Sequence, residues 1–436
     1  MSIKQPAQNI LVINLHSPQN AGDAALLDMA LRSLRLVFPH AQIALAMNEP
    51  DIIYGAQNAD VVKVVPSFAA YFRSHQENRQ ANWRIGTMLW GTTTSLFIAL
   101  LYRVQGRSPR WLPSGLRDLL LAYMNADLVV SCPGNIFATM GRFGVPFLVS
   151  ALTVTYGLLL RKSLYVMPQS IGPLKRKWER WLVRLLYSRA RLVLIREPVS
   201  LRLAYEIGLT GARIRLVPDL AFALPPDSRE DAERTLERLG GDSREPKIGV
   251  TVINRLIRGV SEEEWDRYET AMARALSDFL SRHGGIALFF PQVIGPTPKE
   301  DDRIAARRIV ARMTNPQQAI VVNEPMPPTL LKALYSLTDL FIATRMHSAI
   351  FAASMSVPTL LIEYLHKMRG LAEMLQLEDW SIELTQVNDI SLGHKLEALW
   401  KQRLPVRQHL ESIVPPLVEQ TKRVSEWLGD DFYGRR

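Results

Sequence analysis

The sequence predicts an α/β protein of two Rossmann-like domains with an interdomain cleft. Three observations predict it. Short apolar runs alternate with amphipathic stretches along most of the chain, the pattern of parallel strands joined by helices. That rhythm breaks once, at Leu224-Pro225-Pro226, and resumes at Lys247. The runs also end repeatedly in Asn, Gln, Arg or His. In open parallel sheets those carboxyl ends are where ligands bind.

In chain order, the apolar runs Ile10–Leu15, Gln42–Met47 and Val61–Val65 read as strands, and Gly22–Phe38 as an amphipathic helix. Leu116–Asn125 is a helix and Leu128–Ser131 a strand. Strands Ser163–Met167, Leu192–Ile195 and Ile214–Val217 follow, separated by helices Trp178–Tyr187 and Val199–Ile207. These fill a first domain, residues 1–225. The polar stretch 226–246, with a short helix Glu230–Leu239 and the turn Gly240-Gly241-Asp242-Ser243, reads as a linker. The second domain, 247–400, begins with strand Ile248–Ile253, helix Glu262–Arg282 and strand Ile286–Phe290. It continues through helix Asp301–Met313, strand Ala319–Val322, helix Pro328–Ser336 and the apolar runs Leu340–Ala343 and Pro358–Ile362. Residues 401–436 form a helical tail whose helix, Leu417–Trp427, is expected to pack back on the first domain.

With 22% charged and 47% hydrophobic residues, 436 residues are enough for two cored domains. The single cysteine, Cys132, cannot form an intrachain disulfide, which fits a cytoplasmic protein. The formal net charge of +10 admits nucleic acid, a membrane surface or an acidic substrate as partner. No zinc spacing, RNA-binding aromatic motif or basic tail is present, so nucleic acid is not expected. The N-terminal apolar run is too short and its surroundings too polar for a signal peptide. Two uncharged segments, Ile85–Tyr102 and Phe143–Leu160, approach the roughly 20 residues that span a bilayer, yet both read as packing helices. The first, flanked by Arg84 and Arg103, can alternatively enter one leaflet with its arginines on anionic head groups. That would make the protein peripheral at the inner face of the membrane.

Residues following the strands form the candidate site. They are Asn20-Ala21-Gly22-Asp23, Cys132-Pro133-Gly134-Asn135, Gln169-Ser170, Arg196, Asn254-Arg255 and Gln292. The densest group lies in Asp339–Gly370, where two strand ends deliver Arg345, His347, Tyr364, His366 and Lys367. So many cations suggest an anionic small molecule. Each residue also has a plainer role. Asp23 can cap a helix or accept a proton, and His347 can pack or serve as acid and base. Arg345 can pair with Glu363 or Asp219 instead of a ligand. No dinucleotide fingerprint and no P-loop is present.

Read together, NAGDAAL (Asn20–Leu26), MPQSIGPL (Met167–Leu174), IREPVSLRLAYEIG (Ile195–Gly208), VPDLAF (Val217–Phe222), the Gln292 loop and RMHSAIFAASMSVPTLLIEYLHKMRG (Arg345–Gly370) resemble the polysaccharide pyruvyl transferases. The resemblance implies a GT-B-like fold and transfer of the enolpyruvyl unit of phosphoenolpyruvate onto sugar hydroxyls, with release of phosphate. Phosphoenolpyruvate would be the co-substrate, with no bound cofactor or metal, and the acceptor a polysaccharide or lipid-linked oligosaccharide precursor. On that reading His347, Arg345 and Asp23 are catalytic. Arg255, Asn254, Tyr364, Lys367 and Gln292 hold the donor, and Asn20, Gly22, Gly134, Asn135, Gln169, Ser170 and Arg196 face the sugar. One loop departs from the family. Where a run of glycines is usual, this chain has Ser131-Cys132-Pro133-Gly134-Asn135, and proline removes a backbone donor. A GT-B glycosyltransferase using a nucleotide sugar and a non-catalytic glycan-binding relative are the competing expectations.

Overall fold

The computed structural model describes residues 7–51, 61–74, 81–107, 111–139, 144–211, 213–241, 245–255 and 260–434. The chain divides into two units, each built on one parallel sheet. The first comprises residues 1–18, 26–220 and 420–436, and the second 19–25 and 221–419.

The first sheet contains β1 (Asn9–Leu15), β2 (Gln42–Met47), β3 (Val61–Pro66), β4 (Leu128–Ser131), β5 (Gly134–Phe137), β6 (Ser163–Ile171), β7 (Leu192–Ile195) and β8 (Ile214–Leu216). Its order is β3-β2-β1-β4-β6-β7-β8, with β5 paired to β6. Strands β4 and β7 are buried at every position, because helices cover both faces and leave no place for a polar alternate residue. Strand β5 is not expected from sequence. It forms just after Cys132-Pro133, where Gly134 pairs with Gln169 and Phe137 with Ile171.

The second sheet contains β9 (Lys247–Thr251), β10 (Ile286–Phe289), β11 (Ala319–Val321), β12 (Leu340–Ala343), β13 (Thr359–Glu363) and β14 (Ser381–Glu383). All pairings are parallel, in the order β11-β10-β9-β12-β13-β14. That is the doubly wound order, and it reverses direction between β9 and β12. Gly249 lies opposite Phe341 across this central pair, where a Cβ would meet the Phe341 ring at 2.4 Å.

Two boundaries differ from the sequence reading. Of the stretch read as a linker, the described residues 226–241 and 245–246 group with the second unit. Ser228 caps helix Arg229–Arg238, whose buried Ala232 and Leu236 face helix Pro328–Tyr335 of the second unit. The terminal helix runs from Arg403 to Tyr433, with Pro415 and Pro416 inside it, so it begins well before Leu417. Residues 420–436 join the first unit. Asp431 accepts from the Tyr165 hydroxyl at 2.7 Å and from Arg191 Nε at 3.0 Å, and Phe432 packs edge-on against Phe38.

The two uncharged segments form helices Ala81–Gln105 and Val145–Leu159, which pack together in the first unit. Among the described residues, no helix is long and apolar enough to cross a membrane.

Lys332 is buried on helix Pro328–Tyr335 and donates to the carbonyls of Phe222 (2.9 Å) and Leu224 (2.7 Å). Burial lowers its ammonium from the ordinary lysine range to about 7. The unfolded chain therefore binds this proton more tightly than the folded one. The group's contribution to stability rises with pH between about 7 and the unfolded value near 10.4, and its charging penalty is fully present below 7. Urea denaturation at pH 7 and pH 9.5 should show the stability of the wild type rising relative to Lys332→Met by about 2–3 kcal/mol. Parallel pH profiles would contradict this account.

Candidate functional site

In the second unit the site grows from the reversal point of the sheet. Strands β9 and β12 end side by side at Thr251 and Ala343, and Thr344 follows. The Thr251 hydroxyl meets Ser348 at 2.6 Å, and Thr344 meets the buried Tyr268 hydroxyl at 2.9 Å. These bonds fix the start of the small-residue helix Met346–Ser354, with Arg345 at its N-cap position. Strand β12 thereby carries Arg345 and His347 to one spot, both largely buried.

Arg345 does not pair with Glu363 or Asp219. Its partner is Asp302, gripped through Nε at 3.2 Å and through a second, shorter bond. Glu363 instead pairs with Arg369 on the surface, and Asp219 with Arg196 in the other unit. Asp302 also accepts from the backbone amides of Gln292 (3.2 Å) and Val293 (3.0 Å). Burial raises the Asp302 carboxyl above its ordinary range, while Arg345 and the two amides oppose the shift. Sequence reasoning missed Asp302. The pair Asp301-Asp302 reads as a helix start, and Asp301 indeed caps helix Asp302–Val310. Nothing in the spacing marks Asp302 as the arginine's partner.

Through Asp302 the Gln292 loop is held in place, and this loop receives residues 19–22. Ala21 N–H donates to the Gln292 carbonyl at 2.9 Å, Ile294 N–H donates to the Gln19 carbonyl at 3.2 Å, and Asn20 bridges to Val293. Gly22 then lies against the imidazole of His347. A Cβ there would be 1.9 Å from Nδ1, so only glycine permits this approach. Asn20 Oδ1 accepts from Gly22 N–H at 3.0 Å, and its amide donates to Asp23 at 2.8 Å. Asn20 thus closes the N-terminus of helix Ala21–Val37, and Asp23 sits in the first turn with one oxygen held by it.

Gln292 is buried. Its amide nitrogen donates to Tyr335 at 2.6 Å, and its Oε1 has no hydrogen-bond partner among the described residues. Arg345 also interacts with the Tyr364 side chain, and Lys367 lies 5.9 Å from the centre of the Tyr364 ring. The structure therefore gathers Asn20, Gly22, Asp23, Gln292, Arg345, His347, Tyr364 and Lys367. Arg255 and Asn254 are engaged elsewhere in the same unit. Arg255 and Arg308 share the buried Glu269, and Asn254 accepts from Arg308 and donates to the carbonyls of Pro298 and Lys299. Burial works against the charge on Glu269, but the two arginines prevail and hold its carboxyl below the ordinary range. The Arg255 charge is thus already balanced by Glu269 and Glu262.

The residues read as facing the sugar from the first unit are mostly internal braces. Gln169 donates to the Ser131 hydroxyl (2.7 Å) and the Cys132 carbonyl (2.8 Å), and accepts from Tyr187. Arg196 is buried, donating to Ser170 (2.9 Å) and Asp219 (2.7 Å). Gln169, Ser170 and Arg196, read as facing the sugar, are buried here, and their side chains tie neighbouring loops together at the strand ends. Asn14, unmarked by sequence, joins them with a φ of 61° and a bond to Ser131. Burial raises the carboxyl of Glu197, which caps helix Pro198–Glu206. Gly134 lies beside His16, and Asn135 donates to the Gly172 carbonyl at 3.2 Å while its Oδ1 is buried without a hydrogen-bond partner among the described residues.

Residues 20–366, which run from Asn20 beyond His347 and Tyr364, match the profile described as polysaccharide pyruvyl transferase. The chain belongs to that family. A further relative is the amylovoran biosynthesis protein AmsJ of Erwinia amylovora, 21% identical over 426 residues, covering 95% of this chain and 96% of AmsJ. Among solved structures, this member of the polysaccharide pyruvyl transferase family is similar to HepE of Anabaena in complex with UDP-glucose (TM-score 0.56, 12% identity, 97% and 100% of the two chains covered). It is also similar to a glycosyltransferase from Rickettsia africae (0.56, 10%, 99% and 100%) and to UDP-GlcNAc 2-epimerase of Methanocaldococcus jannaschii (0.55, 11%, 97% and 99%). The fold is of the GT-B type.

Two substitutions probe how the site is held. Asp302→Ala leaves the Arg345 guanidinium buried without its counter-charge and should cost about 3–5 kcal/mol in urea denaturation. Gly22→Ala forces the His347 ring or the helix start to move and should cost about 1–3 kcal/mol. An unchanged denaturation midpoint in either variant would refute the corresponding contact.

Proposed function

We propose that this chain transfers the pyruvyl unit of phosphoenolpyruvate onto hydroxyls of a sugar in a polysaccharide or lipid-linked oligosaccharide precursor, with release of phosphate. The observation that carries the reading is the meeting of Arg345, His347 and the Asn20–Asp23 helix start at one sheet end, in a chain that matches the family from residue 20 to 366. The acceptor class is further supported by AmsJ, an amylovoran biosynthesis protein.

Phosphoenolpyruvate carries a phosphate and a carboxylate. Arg345, Lys367 and the positive end of helix Ala21–Val37 supply positive charge and donors for such an anion. In the proposed reaction His347 gives a proton to the methylene carbon, and positive charge develops at carbon 2. The sugar hydroxyl oxygen bonds to carbon 2 as its proton passes to Asp23. The bond from carbon 2 to the phosphate oxygen then breaks, phosphate leaves with the bonding pair, and a second hydroxyl oxygen bonds to carbon 2 and closes the ketal as its proton returns to His347. Arg345 stabilises the departing phosphate or orients the carboxylate. Its grip on Asp302 fixes the guanidinium before the ligand arrives, so little reorganisation remains.

A second reading, transfer from a nucleotide sugar, is favoured by the likeness to HepE, whose structure holds UDP-glucose. Thermal shift separates the two, because a ligand that binds only the folded state raises the melting temperature. Phosphoenolpyruvate is expected to raise it and UDP-glucose to leave it unchanged.

With oligosaccharide precursors as acceptors, phosphate release and the mass gain of the product give the direct assay. His347→Ala should reduce turnover by about 10²–10⁴, and Arg345→Lys, which keeps the charge but loses the two-pronged geometry, should also reduce it. Near-normal phosphate release in both variants would end this assignment.

A further inference from the structure

We propose that the outward faces of helices Ala81–Gln105, Val145–Leu159 and Lys177–Tyr187, all in the first unit, form a docking surface for an anionic lipid bilayer. On the first helix the exposed side chains Trp90 (54%), Phe97 (53%), Leu100 (51%) and Val104 (85%) recur at the spacing of a single helical stripe. Gly91, Ser95, Ile98 and Ala99 form the opposite, buried stripe. Scattered exposed apolar residues are ordinary, but a regular stripe of this kind is not.

The surface continues beyond that helix. Helix Val145–Leu159 packs against it and exposes Leu148, and helix Lys177–Tyr187 packs on the next side and exposes Trp181 (62%). Phe147 and Trp178 join the second and third helices edge to face at 5.3 Å. Tryptophan is a side chain that settles at the boundary between head groups and acyl chains.

Charge selects the occupant. Residues 78–117 contain no Asp or Glu, and residues 128–196 contain only Glu179. Glu179 is buried, bonded to Thr139 and Arg176. Exposed cations border the apolar stripe instead, with Arg103 and Arg107 at the end of the first helix and Lys175, Lys177 and Arg180 at the start of the third. A second copy of this chain would set two such cationic faces against each other, whereas anionic head groups neutralise them. No described helix can span a bilayer, so the helices lie on its surface. The surface lies outside the residues assigned to transfer and stands whether or not phosphoenolpyruvate is the donor.

Vesicle flotation of the full chain, with no substrate present, tests the proposal. Binding is expected to vesicles of equal phosphatidylglycerol and phosphatidylcholine, and to be at least about tenfold weaker to phosphatidylcholine alone or in high salt. The double variants Phe97→Asp/Leu100→Asp and Arg103→Glu/Arg107→Glu should each lose about tenfold or more of this binding with unchanged thermal unfolding. Phosphate release with a soluble acceptor should be unaffected in both. Absence of binding to the anionic vesicles at low salt overturns the proposal, as does binding that survives both double variants. A dimer in sedimentation that Phe97→Asp/Leu100→Asp converts to monomer, with vesicle binding retained, would assign the surface to self-association and also overturn it.

Discussion

A guanidinium placed at the end of a buried strand needs a counter-charge within reach, and Asp302 provides it for Arg345. The consequences spread outward from that pair. The same carboxylate holds the amides of Gln292 and Val293, so the loop after β10 takes its course from the pair. That loop in turn receives the backbone of Gln19–Ala21, and Gly22 is delivered against His347. One electrostatic requirement at the end of β12 therefore reaches, through backbone hydrogen bonds, a segment more than three hundred positions earlier in the chain.

The polar side chains at the ends of the two sheets divide into two kinds. In the first unit the Gln169 side chain bonds Ser131, the Cys132 carbonyl and Tyr187, and Arg196 bonds Ser170 and Asp219, which ties the strand ends together. In the second unit Arg345 and His347 are held in place but keep part of their surface accessible. Buried polar groups that are fully paired specify a shape.

Much of this was legible in the sequence. Alternation of apolar runs and amphipathic stretches located twelve of the fourteen strands among the described residues, because a strand buried on both faces leaves an uninterrupted apolar signature. The strand-end residues Arg345, His347, Gln292 and Asn20 were visible for the same reason: a polar residue stands out where such a run stops. The missed features depend on distant partners. Strand β5 is four residues long and exists only because β6 lies alongside. Asp302 looks like a helix start, and the same position in a linear pattern cannot announce that it faces an arginine 43 residues on. Gln169 and Arg196 carry the right chemistry for a ligand, and only their burial and bonding reveal them as braces. The terminal helix, read as Leu417–Trp427, starts earlier and runs through Pro415-Pro416.

Residues 19–25 belong with 221–419, while the rest of helix Ala21–Val37 belongs with the first unit. The second unit is thus discontinuous in sequence. A fragment cut at 221–419 would retain Arg345 and His347 but would lack the glycine that walls the imidazole and the asparagine and aspartate beside it. Neither half of the chain contains either unit whole. Shuffling of halves between relatives, simple where domains are contiguous, would here part residues 19–25 from the unit they pack with.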